Sequence, residues 1–107
     1  MQIQMGTLIA EQFVELCHAA KWDAPPLLQA KAALTGAFAA FSTYDGEKII
    51  GMVSLAGDGA MTFLVKDLIV REEYRGRGVG RRLMEAAESE IRKHLQPGWT
   101  DAERLRV

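Results

Sequence analysis

The 107-residue sequence predicts an α+β domain of the broad α/β class: a mixed, mostly antiparallel sheet flanked by helices, with the order β-α-α-β-β-β-α. Three observations carry this reading. Two stretches of helical period lie before residue 37, two Asp-Gly turn signals divide residues 38–70 into strand-like runs, and a glycine-rich turn then opens a long amphipathic stretch. Hydrophobic residues at 49% and charged residues at 25% give the balance of a folded globule, and the length suits one domain spanning 1–107.

Residues 2–5 can form an edge strand, and Thr7 can cap a helix carrying Leu8, Ile9, Phe13, Leu16 and Cys17 and ending near Lys21. Pro25-Pro26 blocks its continuation and suits the start of a second helix, where Leu27, Leu28, Ala30, Ala33 and Leu34 recur before Gly36. Phe38 to Tyr44, Lys48 to Leu55 and Met61 to Val70 then read as three antiparallel strands, joined at Asp45-Gly46 and Asp58-Gly59. The third is apolar on both faces, which predicts a central strand covered by helices on both sides. After the polar link Arg71-Glu72-Glu73-Tyr74 and the glycine turn, Leu83, Met84, Ala87, Ile91 and Leu95 line one face of a long helix that should stop before Pro97-Gly98. The tail from Trp99 to Val107 carries no assignable element.

Charge and cysteine content narrow the function. A net charge of −1 offers no global attraction for nucleic acid. The single thiol, Cys17, cannot form an intrachain disulfide, suits a reducing cytoplasm, and lies on an apolar helical stretch as a buried structural residue. The N-terminus lacks a basic region followed by an apolar run, and no segment reaches the roughly 18 apolar residues of a membrane span, so a cytoplasmic protein without a membrane partner is expected. No cluster of metal-ligating residues is visible, and no metal is expected.

The informative arrangement is Arg75-Gly76-Arg77-Gly78-Val79-Gly80, placed between a strand ending at Val70 and an amphipathic helix. A helix N-terminus leaves amide N–H groups unpaired and carries partial positive charge. Glycines at 76, 78 and 80 keep Cβ atoms away from those amides and permit positive φ, while Arg75, Arg77, Arg81 and Arg82 add charge and forked donors. Together they predict a pyrophosphate site. Neither the P-loop string nor an alternating βαβ context is present.

Arg75, Gly78 and Gly80 match the Q/R-x-x-G-x-G/A signature of the GNAT acetyltransferases, which the chain resembles. The flanks Ala20-Lys21-Trp22, Gly57-Asp58-Gly59, Lys66-Asp67-Leu68-Ile69-Val70 and Gly80-Arg81-Arg82-Leu83-Met84 are similar to the small bacterial branch of that family. The resemblance implies acetyl-CoA as cosubstrate, its pyrophosphate held by the segment Arg75, Gly76, Arg77, Gly78, Val79, Gly80 with Arg81. It further implies that Leu68, Ile69 and Val70 offer backbone groups to the pantetheine arm. The implied activity is direct acetyl transfer to a primary amine, for which Asp67 is the candidate base, with a structural or surface carboxylate as the alternative reading. A noncatalytic CoA-binding or regulatory module is the rival function.

His18 and His94 read as helix-surface residues and Glu72 and Glu73 as solvated link residues. Trp22 and Trp99 read as packing residues, Trp22 with a lesser claim to a substrate wall. The family's later strands, its further helix and a tyrosine acid find no counterpart: Tyr44 and Tyr74 stand elsewhere and the tail does not read as a strand. A chain short after about residue 98 leaves a sheet edge open, and a homodimer is expected to cover it.

Overall fold

The computed structural model describes residues 1–95 and the backbone of Leu105–Arg106. The element order is β1 (Ile3–Met5), α1 (Ala10–Ala19), α2 (Leu27–Gly36), β2 (Ala39–Asp45), β3 (Lys48–Gly57), β4 (Phe63–Val70), a 3-10 turn at Glu72–Tyr74, α3 (Val79–His94) and β5 (Leu105–Arg106). The sheet runs β1-β2-β3-β4-β5, its first four strands antiparallel and β5 parallel to β4. The α+β fold class expected from the sequence is present. The tail corrects one expectation: Leu105 and Arg106 pair with Phe63 and Leu64, so it contributes a short strand where none was assigned. The helix stop at Pro97-Gly98 and the packing of Trp99 lie outside the described residues.

The sheet is covered on both faces because β3 sends alternate side chains into two cores. Val53 and Leu55, with Val65 of β4, meet Val79, Leu83, Ala87 and Ile91 of α3. Ile49 and Met52, with Ile69, meet Phe13, Leu16 and Cys17 of α1 and Ala30 of α2. The strand buried on both faces is therefore β3, whose residues 49–55 are all buried, and not β4, where Leu64 and Leu68 are exposed. A strand needs neighbours on both edges and helices on both faces to be enclosed, and among the described residues β5 pairs with β4 only at Phe63 and Leu64.

Local chemistry explains the other departures. Helix α1 begins at Ala10 because the Ile9 N–H donates to Gln12 Oε1 at 3.2 Å, while Thr7 Oγ1 turns to Gln4 Oε1 instead of capping. Helix α2 fully buries only Ala30; Leu34 packs at the edge of the core, but Leu28 is 80% exposed, so only part of the expected stripe faces inward. The second strand connection is a loop closed by its aspartate: Asp58 Oδ1 accepts the N–H groups of Ala60, Met61 and Thr62 at 2.9, 2.8 and 3.0 Å. Three donors to the ionised form hold the Asp58 carboxyl at about 2, below its ordinary 3.8. A depressed carboxyl pKa stabilises the fold above the unfolded value and loses that contribution as pH falls through the folded one. Asp58→Ala is expected to lower Tm at neutral pH, and the gap to the parent protein should narrow between pH 4 and pH 2 in thermal melts.

Candidate functional site

The end of β4, the 3-10 turn and the start of α3 enclose a concavity of ≈280 Å³ lined by Val70, Tyr74, Arg75, Gly76, Gly78, Val79, Gly80 and Arg81. None of these residues is acidic. Gly76 and Gly78 have φ of +80° and +82°, a region in which an L side chain is strained, and Gly78 is the residue before the first turn of α3. The Arg82 N–H donates to the Gly78 carbonyl at 3.0 Å and opens the helical ladder. The N–H groups of Val79, Gly80 and Arg81 find no acceptor among the described residues, and they are the free donors of a helix N-terminus.

Gly80 serves differently from the expectation. Its φ is not positive, and a Cβ there would lie 3.7 Å from Val70 Cγ2, an ordinary contact, so only Gly76 and Gly78 are required by backbone conformation. Gly80 keeps the floor of the concavity clear. Gly78→Ala should therefore cost roughly 1–2 kcal/mol, whereas Gly80→Ala, inside a helix, should leave Tm unchanged or slightly raised. Paired thermal melts of the two variants check this difference.

The arginines divide their roles. Arg75 Nε donates to the Val70 carbonyl at 3.2 Å, fixing the turn against the strand end. The Arg77 guanidinium lies 5.2 Å from the Tyr74 ring centroid and does not line the concavity, so its side chain is not part of the expected phosphate cluster. Arg82 reaches the Met1 carbonyl at 3.3 Å. Arg81 lines the concavity and has no protein partner among the described residues. Tyr74, read from sequence as part of a polar link, anchors this corner: its hydroxyl donates to Asp45, which pushes the phenol pKa up, and its ring also meets Lys48.

Upstream, β4 carries a β-bulge. Ser54 pairs with Lys66 and Met52 with Ile69, so Asp67 and Leu68 together oppose Val53, and Asp67 adopts φ +54°. Aspartate is among the few residues that tolerate this conformation. Beyond the bulge the Arg71 N–H donates to the Ile50 carbonyl, so strand alternation turns the N–H and C=O of Val70 to the edge away from β3. Ile69 is buried in the α1-side core and Leu68 is exposed.

Asp67 does not join the glycine-turn concavity. It lines a second cleft of ≈210 Å³, between the sheet and the two N-terminal helices, with Phe13, Cys17, Trp22, Asp23, Pro25, Gln29, Ala33 and Lys66. Asp67 Oδ2 lies 3.0 Å from Lys66 Nζ and 3.5 Å from Ser54 Oγ, which also donates to the Lys66 carbonyl. Cys17 is buried as expected; burial and then the nearby Asp67 charge raise its pKa, so it stays a thiol. Sequence reasoning missed Ser54, Lys66 and the cleft itself. The usable signal was Phe13 and Cys17, four apart on one helical face, followed directly by Trp22.

His18 is exposed and His94 pairs with Glu90 on α3, as expected of surface residues. Glu72 meets Lys21 at 3.8 Å in solvent. No metal-holding cluster exists among the described residues, and among these no helix is long and apolar enough to cross a membrane.

These features define a class: an α+β domain whose fourth strand leads through a glycine turn into a helix N-terminus with unpaired amides. The model of the GNAT acetyltransferase domain matches residues 37–105, and the chain belongs to this family, whose members generally depend on acetyl-CoA. Its fold is similar to a protein of unknown function and probable acetyltransferase from meticillin-resistant Staphylococcus aureus, at TM-score 0.85 and 22% identity, covering 99% of this chain and 77% of that one. A GNAT-family acetyltransferase of Streptococcus pneumoniae matches at TM-score 0.75 and 25% identity, covering 94% and 78%. An aminoglycoside 6'-N-acetyltransferase complexed with coenzyme A shares the fold at TM-score 0.73 and 16% identity, covering 88% and 57%. No curated protein sequence matches the chain significantly.

Proposed function

We propose that this chain is an N-acetyltransferase that moves an acetyl group from acetyl-CoA to a primary amine. The observation that carries the reading is the set of unpaired amides of Val79, Gly80 and Arg81 around a concavity free of acidic side chains. In it the three amides and the Arg81 guanidinium hold the pyrophosphate, and Gly80 leaves room for it. The outward N–H of Val70, whose carbonyl accepts from Arg75 Nε, meets the amide-bearing arm at the edge of β4 that no strand covers among the described residues. Acetyl-CoA supplies an activated acetyl thioester.

Asp67 takes the proton from the incoming ammonium, which has an ordinary pKa of about 10.4 and is almost wholly protonated at neutral pH. Trp22 and Phe13 offer the acceptor an apolar wall and Asp23 a second negative charge, features that favour a small cationic amine with an apolar body. Neither tyrosine is free to act as an acid: Tyr44 donates to Gln12 and Tyr74 to Asp45. That observation favours a second reading, a CoA-binding module without turnover. A thiolate leaving group, with a thiol pKa near 8.5, needs little acid assistance, which keeps the transferase reading first.

Isothermal titration with acetyl-CoA, followed by thiol release with a panel of small amines, tests both readings. Arg81→Glu and Gly80→Ala should each weaken binding at least about tenfold, which is ~1.4 kcal/mol, without loss of fold. Asp67→Asn should preserve binding and lower kcat by roughly 10²–10⁴-fold. Binding without turnover for every amine would select the module, and absence of binding by folded protein would defeat both readings.

A further inference from the structure

Lys66 sets a primary amine beside the proposed base. Its Nζ lies 3.0 Å from Asp67 Oδ2, and both side chains line the cleft beneath α1 and α2. The bulge brings them together, since it turns Asp67 out of the regular alternation and beside the preceding residue. The other lysines are held elsewhere: Lys21 meets Glu72, Lys48 lies over Tyr74, Lys93 pairs with Glu90, and Lys31 lines a separate groove between α1 and α2. Lys66 is thus the one lysine among the described residues with a carboxylate beside it in this cleft.

We propose that Lys66 is a self-acetylation site, an internal primary amine that takes the acetyl group when no external acceptor is present. The inference rests on the transferase reading above. The Lys66 ammonium gives a proton to the Asp67 carboxylate, and the freed lone pair forms a C–N bond to the thioester carbonyl carbon as the C–S bond breaks. The sulfur leaves as thiolate and takes up the proton held by Asp67, while the acylated nitrogen gives its second proton to solvent, so the products are a neutral Nε-acetyl-lysine, free CoA thiol and one released proton. Acetylation removes the positive charge from the ion pair, leaving Asp67 without its resident ammonium.

Two measurements on the full chain test this. The first needs no acyl donor: the side-chain ¹⁵N resonance of Lys66 should shift in Asp67→Asn, a variant suited to the positive φ at that position. An unmoved resonance would mean that the pair does not form, and would overturn the proposal. The second is a peptide map of lysine acetylation after incubation with acetyl-CoA alone. Lys66 should be modified at least tenfold faster than the 82%-exposed Lys21, and the preference should vanish in Asp67→Asn and in Gly80→Ala. Uniform acetylation of all lysines in a protein that binds acetyl-CoA by calorimetry would refute self-acetylation while leaving the transferase reading intact. Failure to bind acetyl-CoA would remove both.

Discussion

Three backbone donors at the start of α3 have no acceptor among the described residues, and the surrounding structure depends on keeping them so. An unpaired N–H is tolerable only where water or a ligand can reach it. The positive φ values at Gly76 and Gly78 turn the chain sharply enough for the helix to begin beside the end of β4, with its donors facing outward. Four buried residues of the same helix, Val79, Leu83, Ala87 and Ile91, then fix it against the sheet. The packing of α3 and the exposure of its first amides are two consequences of one placement. Arg75 and Tyr74 hold the corner, one through the Val70 carbonyl and the other through Asp45, so the charge left for a ligand comes mainly from the amides and Arg81.

The bulge in β4 is the second organising feature. By inserting an extra residue opposite Val53 it turns Asp67 toward the α1 side, while Val70 presents its backbone at the open edge. The same strand therefore borders two spaces, the glycine-turn concavity at its end and the Asp67 cleft on its face. A transfer reaction needs that division, with one space for the donor's anionic tail and another for an acceptor beside a carboxylate. Membership of the GNAT family gives the division a chemical setting, and under the proposed transfer the cleft bounded by Trp22, Phe13 and Asp23 receives the acceptor.

Much of this was legible in the sequence because it is encoded locally. The α3 face follows from a 3.6-residue period, the first hairpin from Asp45-Gly46, and the turn into α3 from glycines set between strand and helix. What could not be read depends on partners distant in the chain. The direction of Asp67 is set by how β4 pairs with Ser54 and Met52, and Arg77 is diverted by the position of the Tyr74 ring. The two residues of β5 are too few to show any period. Leu28 repeats with its neighbours at helical spacing yet faces solvent, because α2 turns Ala30 and Leu34, not Leu28, toward the core.

The most direct test of the account is amide ¹H–¹⁵N mapping of the chain as CoA is added. The account predicts saturable shifts concentrated at Val79, Gly80 and Arg81, extending to Val70 at the strand edge. Saturable binding that leaves these four amides unmoved would contradict it, because the ligand would then be held somewhere other than the start of α3.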